Sequence, residues 1–201
     1  MLLDFWFGPE GDPERECHRE IWFKCPQEHD EALRRLFLAD YERAGAGALT
    51  AWEAAPESAL ALVLLLDQIP RNVFRGTSRA YATDPLAREV ADRAMARGFD
   101  AALPPAWRKF LYMPLHHSED AADQRRSIDL LQAVPNDPAR ADNTRNARRY
   151  LDIIERFGRF PHRNAVLDRV STPEELAFLE EPESRLDLLK VKHPGEEPPC
   201  P

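Results

Sequence analysis

Cysteine is scarce and oddly numbered: Cys17, Cys25 and Cys200 are the only three in 201 residues. They lack the spacing of a metal knuckle, so a reducing, cytoplasmic compartment is expected. The chain opens Met-Leu-Leu-Asp-Phe-Trp, with no basic region and no long apolar run, and no signal peptide is expected. The longest apolar run, residues 59–66, is far too short to cross a bilayer, which excludes a membrane partner. A basic face is missing as well. At a net charge of −8 the chain is no general nucleic-acid binder. No segment alternates apolar and polar residues as a half-buried strand does. No glycine-rich phosphate loop, dinucleotide fingerprint, glycine-flanked nucleophile elbow or His-Glu-x-x-His spacing occurs, so no cofactor is assigned.

What the chain does contain is helical punctuation. Asp12-Pro13 reads as a helix start, with Ile21, Trp22 and Phe23 closing that helix before Pro26. Leu33, Leu36, Phe37, Tyr41 and Ala44 fall at helical spacing before Gly45 and Gly47. Pro56 opens a helix whose body, residues 59–66, is apolar all round and belongs at the centre of the core. That helix is expected to end at Asp67-Gln68, ahead of Pro70. Thr83-Asp84-Pro85 starts the next, and Pro104-Pro105 precedes a short one ended by Pro114. Ser118 reads as the cap of a long helix, and residues 136–142 as a connector before helical spacing resumes from Arg145 to Phe157. Thr172-Pro173-Glu174-Glu175 combines a capping box with proline in the first turn. The expectation is an all-α protein of about eight to ten helices, with one domain over residues 1–181 and an acidic, proline-rich tail over 182–201.

Three polar stretches stand out at helix ends. The first is Asp67, Gln68, Arg71, Asn72 and Arg75, where a carboxylate directly after eight apolar residues needs a partner. Arg71 and Arg75 are near enough to supply one. The second is His116-His117-Ser118-Glu119-Asp120. In the third, Arg156-Phe157-Gly158-Arg159-Phe160-Pro161-His162-Arg163-Asn164, a helix ends at Gly158 and another turn begins at Pro161. Seven arginines between 145 and 169 face only Asp152, Glu155 and Asp168, whereas residues 170–201 carry an excess of five negative charges. A local basic patch in an acidic protein points to a small anion or an internal acidic partner.

Phe5-Trp6-Phe7-Gly8, Trp22-Phe23, Leu65-Leu66-Asp67-Gln68 with Pro70-Arg71-Asn72 and Arg75-Gly76, His117-Ser118-Glu119-Asp120, and Arg156 to Asn164 followed by Ser171-Thr172-Pro173-Glu174-Glu175 appear in that order. The ordered set resembles the bacterial family called domain of unknown function 924, over nearly the whole chain up to the tail. The resemblance implies stacked antiparallel helix pairs of the tetratricopeptide-like superfamily and carries no catalytic assignment. The chain departs from the family pattern at Cys25-Pro26 and at Asp168, where the resemblance leads one to expect glycine before Arg169.

The functional expectation is a cleft for a small phosphate- or carboxylate-bearing ligand. Asp67, Gln68, Arg71, Asn72, Arg75, Arg159, Arg163 and Asn164 are its binding candidates, with Tyr112 and Phe160 as apolar wall. His117, Glu119 and His162 are its candidates for proton transfer. One alternative is a metal-assisted hydrolase drawing on His116, His117, Glu119 and His162. Another is a tetratricopeptide-like scaffold for a protein or peptide, which gains if several of Trp6, Trp22, Trp52 and Trp107 share an exposed face. The plain structural reading is a helix–helix corner, with arginines paired to internal carboxylates.

Overall fold

A helix buried almost end to end runs through the middle of the protein. The computed structural model describes residues 1–17, 19, 22 and 27–181. Among these residues there are eight α-helices and no strand: α1 (Leu2–Phe7), α2 (Gln27–Gly45), α3 (Pro56–Val73), α4 (Asp84–Ala96), α5 (Pro105–His116), α6 (Ala121–Ala133), α7 (Arg140–Phe157) and α8 (Pro173–Leu179). The all-α expectation holds. Neighbours in sequence pack as hairpins, α2 on α3, α3 on α4, α5 on α6 and α6 on α7. α3 also touches α5 and the short 3-10 turns Thr50–Ala54 and Ser78–Tyr81, so its apolar body meets protein on every side. Every residue from 59 to 73 is buried.

Two prolines were expected to end helices and instead lie inside them. α3 continues through Pro70 to Val73. Proline has no N–H to give the carbonyl four residues back, which is that of Leu66. Thr83 Oγ donates to that carbonyl at 2.6 Å, so the orphaned acceptor is satisfied from the next helix. α5 likewise carries Pro114 and ends at His116. Thr83→Val, close in shape but without the hydroxyl, leaves the Leu66 carbonyl unpaired in the core. The variant is expected to lose about 1–3 kcal/mol of stability in urea unfolding, with Thr83→Ser retaining most of it. Equal stability of the valine variant would sink this account of Pro70.

The amino-terminal residues Leu2–Phe7 form helix α1, and its rings anchor it to the core. Phe7 stacks on Trp107 at 4.2 Å between ring centroids, and Trp6, Phe7 and Trp22 all meet Phe110 edge-on. The Trp22 indole donates to the Trp6 carbonyl at 2.7 Å. Residues 13–16 form turns where a helix was expected from Asp12-Pro13; of the three residues expected to close that helix, Trp22 is helical, and Ile21 and Phe23 lie outside the described residues. So do Cys25-Pro26, Cys200 and the proposed tail. α7 begins at Arg140, earlier than its apolar spacing suggests, with the Asp137 carboxylate accepting from the Ala139 N–H and the Asn143 amide. It ends as expected, at Gly158 with φ 69°. Both halves of the capping box at Thr172 and Glu175 are formed.

Candidate functional site

The site grows from the carboxyl end of α3. Asp67 is fully buried and accepts four contacts. His117 Nδ1 lies 2.7 Å from Oδ1, Gln68 Nε2 donates to Oδ2 at 2.5 Å, and Arg71 Nη1 stands 3.2 Å from Oδ1 and 2.7 Å from the Asp67 carbonyl. Burial works to raise the carboxyl pKa. The charges of Arg71 and His117 and the hydrogen bonds from His117 and Gln68 outweigh it and hold Asp67 well below the usual carboxylate range. With Asp67 ionised, the hydrogen of the His117 contact sits on Nδ1.

Arg71 turns its other face to Asp84, both oxygens at 2.8 Å. This acid was read as a helix start; it also bridges two arginines, since Arg163 Nη1 lies 3.7 Å from Asp84 Oδ2. Arg163 is 3% exposed. Its Nη1 donates to the His117 carbonyl at 3.0 Å, and its guanidinium lies 4.7 Å from the Tyr81 ring centroid and 4.4 Å from that of Phe160. Its Nε and Nη2 are buried with no hydrogen-bond partner among the described residues. These two donors share the edge of the guanidinium that grips both oxygens of a carboxylate or phosphate. The same edge of Arg159 holds Glu175 at 2.6 and 2.8 Å, and that of Arg75 holds Asp30 at 3.2 and 2.7 Å. Tyr81 and Asp84, both half-buried, connect the cluster to solvent.

The structure therefore brings Asp67, Gln68, Arg71, His117 and Arg163 into one cluster and engages the remaining candidates elsewhere. Asn72 donates to the Gln68 carbonyl at 2.9 Å within α3. Arg159 pairs with Glu175 and the Val170 carbonyl, and Asn164 donates to Ser171 at 3.0 Å. The Arg159 hydrogen bonds lower the Glu175 pKa to about 2. Glu119 is gripped by Arg169 at 2.7 and 3.0 Å and takes the Phe160 N–H at 2.8 Å, a clasp that fastens the turn carrying Arg163. Burial raises the Glu119 pKa, but Arg169, the Phe160 N–H and Arg163 together bring it down. Arg156 pairs with Glu174 on the surface. His116 packs its ring 3.8 Å from Tyr150, and His162 lies 5.5 Å from Phe160. Tyr112, expected in the apolar wall, donates to Asp100 at 2.9 Å, whereas Phe160 does lie under Arg163. Among the described residues no three His, Cys, Asp or Glu side chains gather where they could hold a metal.

Sequence reasoning missed Asp84, Tyr81, Arg169 and Gln124. Gln124 is fully buried and donates to the carbonyls of His116 and Ser118 at 2.5 and 2.7 Å, holding the bend that aims His117. The helix after that bend is capped by Asp120, which accepts from the Ala122 and Asp123 N–H groups, and the Ser118 hydroxyl donates to Asp123 instead. Asp168, where glycine was expected, has φ 52°, the left-handed backbone that glycine adopts without steric cost. Part of the basic excess noted in the sequence lies apart from the cluster, in a groove of about 550 Å³ along α7 lined by Arg140, Arg145, Arg148 and Arg149.

The family model of a bacterial protein of unknown function, DUF924, matches residues 2–183. The chain belongs to that family. DUF924 thus accounts for the ordered motifs from Phe5 to Glu175, and the cluster around Asp67 is assembled from three of them. A solved structure described as a protein of unknown function, ATU0120 from Agrobacterium tumefaciens, is 43% identical, with a TM-score of 0.78. The match covers 89% of this chain and 94% of that one. No curated protein matches. No described helix of this DUF924 member is long and apolar enough to cross a membrane.

Proposed function

We propose that this DUF924 protein binds a small anionic ligand, bearing a carboxylate or phosphate, at the Arg163 edge of the buried cluster. The observation that carries the reading is the unpartnered Nε–Nη2 pair of a buried arginine. Nearly all buried donors in proteins are paired, so two on one edge call for an acceptor with two oxygens. The rings of Tyr81 and Phe160 hold the guanidinium plane in place, and Arg71 and Asp84 fix its end. Such pre-arrangement lowers the entropy lost on binding. The reading keeps the protein in the cytoplasm and takes its helix hairpins as stacked in the tetratricopeptide-like manner. The scaffold alternative loses the aromatic face it needed, since Trp6, Trp22 and Trp107 are buried and Trp52 packs against the core.

Thermal shift with acetate, inorganic phosphate and sulfate tests this. A ligand at a hundredfold excess over its dissociation constant stabilises the fold by about 2.7 kcal/mol. Arg163→Lys keeps the charge and lacks the two-donor edge, so it is expected to lose most of that response. Arg159→Ala breaks the Glu175 pair and is expected to lower the melting temperature while leaving the response intact. A wild-type response that survives in Arg163→Lys would overturn the assignment.

A further inference from the structure

The groove along α7 is a consequence of helical spacing. Ala147, Tyr150, Ile153 and Ile154 turn one face of that helix into the core. Ala141, Arg145, Arg148 and Asp152 follow the four-three-four spacing of a second face, which lines the groove. Ala141 and Thr144 are small, and the longer Arg140, Arg145 and Arg148 stand around them, which leaves a trough. From Arg140 to Asp152 the helix rises about 18 Å, room for about five residues of an extended chain. Four of the lining side chains are arginines and Asp152 is the one acid among them, in a chain of net charge −8. Arg148 is exposed and has no ion-pair or hydrogen-bond partner among the described residues. Arg145 pairs with Asp142 at 2.6 Å, but the two side chains are 68% and 66% exposed, so exchanging this carboxylate for another costs little. Arg140 lies 3.5 Å from the Val134 carbonyl, a weak contact that leaves its charge to a further acceptor.

We propose that this groove docks a short, extended acidic segment of a partner protein, with carboxylates on Arg140, Arg145 and Arg148. The inference is independent of the anion site at Arg163. Charge complementarity carries it. In an extended segment alternate side chains share a side and stand about 7 Å apart, so acids at every second residue meet arginines strung over two helical turns. A lone carboxylate or phosphate fits less well, because the three arginines follow the helix rather than gather at one point. A nucleic-acid strand is disfavoured on two grounds. No aromatic ring lines the groove for a base to stack on, and an acidic chain repels a long polyanion that continues past the groove. A second copy of this chain would dock head to tail, its acidic surface on this groove, an arrangement that builds filaments unless the rotation closes.

The test is fluorescence anisotropy of the full chain at low salt, with a dye-labelled, end-capped octapeptide that alternates glutamate and alanine. The expected result is saturable binding that weakens as salt is added, with no binding of the octapeptide that carries glutamine in place of glutamate. Arg145→Glu/Arg148→Glu is expected to weaken binding about tenfold or more, and Arg148→Gln by a smaller factor. Arg35→Glu/Arg43→Glu, on the exposed face of α2, changes the net charge equally and is expected to bind as wild type does. All four positions are exposed, and unchanged melting temperatures confirm that the variants fold. Absence of binding, or equal weakening by the two double variants, overturns the groove as the docking site. So does tighter binding of a single-stranded oligonucleotide of eight phosphates at the same arginines. Self-association in sedimentation velocity that Arg145→Glu/Arg148→Glu abolishes also overturns it, since a second copy is then the occupant. The same double variant is expected to keep its thermal-shift response at Arg163, so the two sites succeed or fail separately.

Discussion

Asp67→Asn is expected to lower the unfolding free energy by about 3–5 kcal/mol at pH 7, the range for breaking a buried ion pair by removing one partner. The carboxylate is fully buried and meets His117, Gln68 and Arg71 at once, and an amide oxygen cannot satisfy all of them. Its amide N–H₂ would also face the Gln68 N–H₂ or the His117 N–H, donor against donor. The gap between variant and wild type depends on pH in a fixed direction. A carboxyl held below its ordinary pKa contributes stability that is complete above the unfolded value of about 4 and fades as pH falls toward the folded one. Urea unfolding at pH 7 and pH 3.5 should therefore show the gap narrowing in acid. A gap under 1 kcal/mol at pH 7 would mean that Arg71, still held by Asp84, carries the cluster alone.

Phe110→Ala should cost a comparable amount, about 3–5 kcal/mol, and lower the melting temperature by roughly 10 °C. The reason is purely one of packing. Phe110 is 1% exposed and its ring is the common neighbour of Trp6, Phe7 and Trp22, with centroids 5.6, 5.5 and 4.8 Å away. Three stiff aromatic side chains cannot close over the space one ring leaves, so most of the cavity remains. This loss should be insensitive to pH, which separates it from the effect at Asp67. Differential scanning calorimetry across pH 4–8 distinguishes the two variants by that criterion.

The contrast between these two sites also separates what was legible in the residues from what was not. Helical punctuation could be read directly, because its causes are local. Gly158 ends α7 through a left-handed backbone, and Thr172 and Glu175 satisfy each other's N–H groups within one turn. The burial of residues 59–66 was equally plain, since a helix apolar on all sides has no face to offer water. Pro70 and Pro114 misled for the opposite reason. A proline ends a helix only if nothing else takes up the freed carbonyl, and at Leu66 the donor arrives from Thr83.

The candidate site divides along the same line. Its residue types, and the three stretches that supply them, were visible as polar groups placed at helix ends. Which arginine meets which carboxylate was not, because guanidinium groups look alike in a sequence and their partners lie far along the chain. Arg159 and Arg163, four residues apart, differ completely: one is held by Glu175, and the other keeps two donors unpartnered in the interior. By itself, then, the sequence determined an all-α fold, its central helix and the chemistry available for a site, since these depend on periodicity, capping and side-chain type within a few residues. Only the tertiary structure decided which charges pair, which helices run through their prolines and which arginine keeps two donors unpartnered, because pairing energies are settled by distances between segments that the order of residues does not contain.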